Sequence, residues 1–146
     1  MKLHLGVVDI PYVKRGGSAG ASTGDVAGWL ENKYGIMQFF YNKYGSQIGD
    51  AMAKGFVDAL ETSVMRGRTP TDPFAGAMSK TQAMFQQLIT MQEMNGASTP
   101  SGLPIPTRAA RLGISSRFKR RRSGSARPSF RDTGLYLQSF RSWIEP

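Results

Sequence analysis

The side chains of this 146-residue chain best suited to a chemical task are its cations, and they are concentrated. Between residues 108 and 131 stand Arg108, Arg111, Arg117, Lys119, Arg120, Arg121, Arg122, Arg127 and Arg131, with no Asp or Glu among them. The whole chain carries 19 Lys/Arg against 10 Asp/Glu, a net charge of +9, so everything outside this window sums to zero. Such a run needs an anionic partner, a counterion cloud or an extended conformation. Three occupants stay open on the residues alone: nucleic acid, an acidic protein surface, or water. If Arg117 and Lys119 to Arg122 each neutralised one phosphate, duplex binding would weaken with a log–log salt slope of about −4 to −5. Only Phe118 and Phe130 interleave aromatics with the charge. No helix-turn-helix, zinc finger or RNA-binding sheet motif accompanies them, so a nucleic-acid contact would be to backbone phosphate.

Other reactive groups are sparse. The single histidine, His4, falls on the polar face of an expected strand, with no orienting acid and nucleophile in view. Asp58 and Glu61 are the closest acidic pair on one helix, a spacing that reads as a solvated face before it reads as a metal pair. The absence of cysteine removes disulfides, thiolate nucleophiles and sulfur-based zinc sites. The stretch GGSAGASTG before the first helix lacks both G-x-x-x-x-G-K-[ST] and G-x-G-x-x-G, and no lysine heads that helix. No catalytic set, metal site or cofactor site is therefore expected, and the chain does not read as an enzyme.

The elements that would position the cations follow from patterning. Residues 2–8 alternate, with Leu3, Leu5 and Val7 on one face and His4 on the other, which predicts a short strand stopped by Asp9 and Pro11. Residues 16–24 read as a flexible link, and Ser22 with Asp25 as a capping box that starts a helix near Thr23. Val26, Leu30, Tyr34, Met37, Tyr41 and Tyr44, flanked by Trp29 and Phe40, predict one broad buried stripe. Ile48, Met52, Phe56, Leu60 and Val64 continue it after a bend or break near Gly45 and Gly49. A further helix is expected after Asp72 with Pro73 in its first turn, its stripe Phe74, Ala77, Thr81, Met84, Leu88 and Met91 ending at Asn95 and Gly96. Core is the expected place for Met84, while other methionines and aromatics divide between core and interface.

Three prolines in residues 97–106 predict a loop, and residues 107–113 one or two helical turns. Residues 114–130 combine Gly, Ser, Pro and charge, so an extended arm is expected. Asp132 or Thr133 then caps a short helix. Leu135, Tyr136, Phe140, Trp143 and Ile144 are too apolar for a free tail and must dock. The expected class is α+β, mainly α: long helices with a short N-terminal strand and extended loops. One domain is divided into a strand plus helical body (1–96), a basic arm (97–131) and a C-terminal docking element (132–146). With no secretory signal at the N-terminus and no apolar run near the roughly 20 residues that span a bilayer, a soluble chain made in the cytoplasm is expected.

The C-terminal string resembles the TG-x-L-x-x-S-[FI] element of neck and tail-completion proteins of tailed bacteriophages. The matching residues are Asp132, Thr133, Gly134, Leu135 or Leu137, Ser139 and Phe140. A short strand, a polar link and a long helix at the N-terminus look like that family as well. In such families the chain often runs on into a sheet after this element; with the sequence ending at Pro146, a helical variant is expected here, its last helix carrying Leu135, Phe140 and Trp143. The resemblance implies a virion protein that joins head to tail as a ring-forming subunit. It would dock on neighbouring neck, connector or tail proteins through Asp132, Thr133, Gly134, Leu135, Phe140 and Trp143. Its cations Arg117, Lys119, Arg120, Arg121, Arg122, Arg127 and Arg131 would face packaged DNA or an acidic adjoining ring. The alternative is a small cytoplasmic nucleic-acid-binding protein that uses the same arm.

Overall fold

The computed structural model describes residues 2–13, 19–68, 72–114, 125–131 and 134–145. Their order is β1 (Lys2–Val7), β2 (Pro11–Val13), β3 (Ala19–Ser22), α1 (Thr23–Tyr34), α2 (Ile36–Arg66), α3 (Ala75–Thr90), α4 (Arg108–Arg111), α5 (Leu135–Ser139) and β4 (Phe140–Glu145). The class is α+β and mainly α, as patterning indicates.

Helix α1 starts where the capping box requires. Asp25 N–H donates to Ser22 Oγ at 3.2 Å, and Ser22 N–H donates to Asp25 Oδ2 at 2.9 Å. Asp9 adds a second acceptor, taking the Gly24 N–H at 2.9 Å, and hydrogen bonds from the Ser22 side chain and from that N–H hold its carboxyl below the usual carboxylate range. The buried Thr23 hydroxyl donates to the Val8 carbonyl and accepts from the Ile10 N–H at 2.8 Å, tying the chain after β1 to the helix start. Residues 19–22, expected within a flexible link, pair instead with β2 as an antiparallel ribbon.

The helix break lies at Gly35, not at Gly45 or Gly49. Gly35 sits at φ +62, which closes α1 in a left-handed turn, and a Cβ there would meet Pro100 at 3.1 Å. Glu31 then accepts from Met37 N at 2.7 Å and Gln38 N at 3.1 Å, so its carboxylate stands at the positive end of α2. Because α1 and α2 are separate helices, the single stripe expected across them divides, leaving Trp29 and Tyr41 exposed. Helix α2 runs unbroken through Gly45 and Gly49 for 31 residues, about 46 Å.

Asp72 accepts from Phe74 N at 2.9 Å and α3 begins at Ala75, two residues later than expected from Pro73. It ends at Thr90, with turns over 91–96 where the helix was expected to continue. Its buried face, Ala77, Thr81, Met84, Phe85, Leu88 and Ile89, packs on the proximal half of α2 at Ile36, Phe40, Tyr44 and Ile48. Aromatic rings close the core: Phe85 stacks on Phe140 at 3.9 Å, and Phe40 meets both edge-on at 5.3 and 5.9 Å.

The C-terminal apolar residues do not continue as a helix. After Ser139 the chain extends into β4, which pairs antiparallel with β1 in the register Leu3↔Ile144, Leu5↔Ser142, Val7↔Phe140. The inward-facing Leu3, Leu5 and Val7 of β1 pack against the core cluster that Phe140 belongs to. On the outer face His4 stacks on Trp143, whose ring comes within 3.0 Å of where a Cβ on Gly6 would stand. The helix cap falls on Gly134 at φ +78, with no side-chain cap bond, where Asp132 or Thr133 was expected; both lie outside the described residues.

Candidate functional site

Of the cations singled out by sequence, Arg117, Lys119, Arg120, Arg121 and Arg122 lie outside the described residues, and Arg127 and Arg131 lie within them. The flanks of the basic segment are packed, not extended. Thr107 caps α4 through Ala110 N at 3.2 Å, Ala110 is buried, and Arg127 N–H donates to its carbonyl at 3.0 Å. The Arg127 guanidinium donates to the carbonyls of Ile114 at 3.1 Å and Arg131 at 2.8 Å. It therefore fastens the residue just before the 115–124 stretch to the turn that follows it. Arg127 acts here as a brace, and its charge is partly spent on backbone carbonyls.

Residues 97–107 are also tied down. Ser101 hydrogen-bonds the Lys33 carbonyl through both its N–H and its hydroxyl, Gly96 N–H donates to Ile105 O at 3.0 Å, and Ile105 sits in the core. Thr107 N–H donates to the buried Ser129 hydroxyl at 3.1 Å, and Phe130 packs edge-on against Tyr34 at 5.0 Å. The extended arm expected over 97–131 is thus, in its described parts, a folded flank of the body.

An open cleft of about 160 Å³ lies between Gln92, Pro106, Arg111, Ala126, Arg127 and Pro128. It is smaller than sites that enclose small molecules, and among the described residues no carboxylate or imidazole lines it. His4 Nε2 stands 2.9 Å from Glu145 Oε2, its ring stacked against Trp143. Asp58 pairs with Lys54 at 3.0 Å along α2. Among the described residues no three His, Asp or Glu side chains gather as metal ligands, and no helix is long and apolar enough to cross a membrane.

Glu93 anchors the polar cluster that sequence reading missed. Its Oε2 accepts from Tyr44 OH at 2.6 Å and lies 2.7 Å from Lys43 Nζ, while Gln87 donates to Oε1 at 3.3 Å. Burial pushes the Glu93 carboxyl up, but these donors outweigh it and leave it below the usual range. Burial, then the Glu93 charge, pushes the Tyr44 phenol up to about 12. The residues are 49 apart in sequence, so no local pattern marks the pair.

The docking residues named from sequence divide. Phe140 is 2% exposed and belongs to the chain's own core. Leu135 and Gly134 open α5, and Trp143 is half exposed on the outer face of the β1–β4 ribbon. The larger free apolar surface is elsewhere, on the distal half of α2. Phe56, Val57, Leu60 and Val64 are 54, 57, 55 and 75% exposed. Four residues rotate a helix by about 400°, so a strict four-residue series advances about 40° per step and cannot stay on one face. The series that starts in the core at Ile36 has turned away from it by Phe56. Small residues replace it toward the body: Ala51, Gly55, Ala59 and Thr62 are partly buried, and a Cβ on Gly55 would fall 2.5 Å from the Pro73 carbonyl. The 40° drift was readable in the sequence; which face met the body was not.

No protein-family model, curated protein or solved structure matches this chain.

Proposed function

We propose that this chain is a structural subunit of a tailed-phage virion, placed at the neck or top of the tail, where it assembles as a ring that helps join head to tail. The observation that carries the reading is the distal half of α2: a helix presenting Phe56, Val57, Leu60 and Val64 to solvent is an assembly surface, because contiguous apolar area of this kind marks protein contact. The resemblance over residues 132–140 supplies the virion setting. In this chain that element leads into β4 and is locked to β1, so its docking is internal. Arg127 braces the residues on either side of the 115–124 stretch, and the density of positive charge in that sequence suits contact with an acidic adjoining ring or with packaged DNA.

Native mass spectrometry of the protein mixed with other neck and tail components, with crosslinks mapped from residues 120–122, tests the proposal. A closed multi-copy complex with crosslinks to an adjoining component is the expected result. A protein that stays outside every assembled particle overturns it. The second reading, a nucleic-acid-binding protein, is favoured by the clustering of five cations within residues 117–122 of the sequence. It requires binding by the free protein near physiological salt, weakening with a slope of about −4 to −5 as salt rises.

A further inference from the structure

We infer that the exposed face of distal α2 pairs with the same face of a second copy, antiparallel and about a two-fold axis near Val57. This names a partner for the surface on which the assembly reading rests. The face consists of Gly49, Ala53, Phe56, Val57, Leu60 and Val64, all exposed and spaced by threes and fours, so it forms one stripe on the side away from the body.

The order of sizes along the stripe selects the orientation. Small residues, Gly49 and Ala53, occupy its N-terminal end, and large ones, Leu60 and Val64, its C-terminal end. A parallel pair would set large against large and small against small. The antiparallel pair seats Leu60 on the partner's Ala53 and Val64 on the partner's Gly49, with Val57 beside its own symmetry mate.

Charge agrees with this orientation. Lys54 and Glu61 lie on one flank of the stripe, their midpoint one residue, about 1.5 Å, C-terminal to that of the Ala53–Leu60 and Gly49–Val64 pairs, an offset that a long lysine side chain spans. In an antiparallel pair, like flanks meet, so Lys54 reaches the partner's Glu61 and the contact occurs twice. Lys54 pairs with the exposed Asp58 of its own helix at 3.0 Å and is 77% exposed, so its ammonium can serve both acids.

The exposed side chains offer on the order of 500 Å² per copy, or roughly 1,000 Å² in the pair, the lower bound for a specific interface. A reversible, concentration-dependent dimer is the consequence. The contact is isologous and closes at two copies, so a ring is built from such pairs, each joined to the next through a second surface.

Because the chain contains no cysteine, Val57→Cys introduces the only thiol and gives a direct test. Under mild oxidation Val57→Cys should give a covalent dimer, while Met91→Cys, at a site 70% exposed on the turn after α3, should not. Sedimentation of the wild type should show a monomer–dimer equilibrium that Leu60→Glu weakens at least about tenfold with an unchanged circular dichroism spectrum. Lys54→Glu and Glu61→Lys should each weaken it, and the two together restore it. A wild type that remains monomeric at high concentration, or single charge reversals without effect, overturns the pairing. Particles that incorporate Leu60→Glu normally would overturn the assembly role of this face, and a wild-type dimer in sedimentation would then retain the pairing alone. A Val57-linked dimer that joins no particle would retain the pairing and remove the virion role.

Discussion

Gly55 shows how one residue decides where two elements meet. A methyl group there would stand 2.5 Å from the Pro73 carbonyl, a backbone atom that cannot swing aside, so the turn before α3 approaches α2 only at a glycine. Gly55→Ala is expected to lower stability by roughly 1–3 kcal/mol from overpacking, less about 1 kcal/mol of gained helix propensity. Gly28→Ala, with nothing within 4 Å, should raise stability by up to about 1 kcal/mol; urea midpoints of the two variants test the contrast. Glu93 and Tyr44 set pH limits of opposite sign. Glu93 has a depressed carboxyl, so its contribution is present above the ordinary value of 4.5 and is lost as pH falls through the folded value. Tyr44 is raised from 10.0 to about 12, so its contribution is present below 10.0 and is lost as pH rises toward about 12. Chemical denaturation across pH should show both declines. Glu93→Gln flattens the acid limb, and Tyr44→Phe reduces the alkaline one without abolishing it, because burial also pushes the Tyr136 phenol up.

At the scale of elements, β1 and β4 stand or fall together. A two-stranded ribbon is marginal by itself, and this one persists because Phe140 stacks on Phe85 and Ser142 Oγ donates to the Met78 carbonyl at 3.2 Å. Phe140→Ala should cost about 3–5 kcal/mol and loosen both strands, seen as loss of amide protection at residues 2–7 along with 140–145. The start of α1 is secured more locally. Ser22→Ala should cost about 1 kcal/mol in a urea titration and return the Asp9 carboxyl toward its ordinary value in an NMR titration, since Ser22 is the first of the donors that depress it.

At the scale of the molecule, α2 is two helices in one. Its proximal half carries the core, and its distal half presents an apolar face outward. In the Leu60→Glu variant, amide exchange should be slow over residues 36–48 and progressively faster toward Arg66, because burial falls along the helix. A uniform exchange rate along α2 would show that the distal half is held by contacts other than those described. The same division separates stability from assembly: changes at Phe40 or Phe85 should unfold the chain, whereas changes at Leu60 should leave the fold and alter its company.

Local chemistry made much of this protein readable. The alternation of Leu3, Leu5 and Val7, the Ser22–Asp25 box and the stripe of Ala77, Thr81, Met84 and Leu88 each reflect interactions within a few residues and formed as their residues dictate, while Met91, expected to extend that stripe, lies exposed on the turn after α3. What sequence left open depended on contacts between distant segments. Residues 140–145 became a strand because β1 offers an unpaired edge and Phe85 a ring to stack on, both far along the chain. The Glu93 cluster and the Arg127 brace join residues that no periodicity links. The outward face of distal α2 was set when the Pro73 turn closed on Gly55, since a helix with apolar groups around much of its circumference buries whichever side its neighbour reaches.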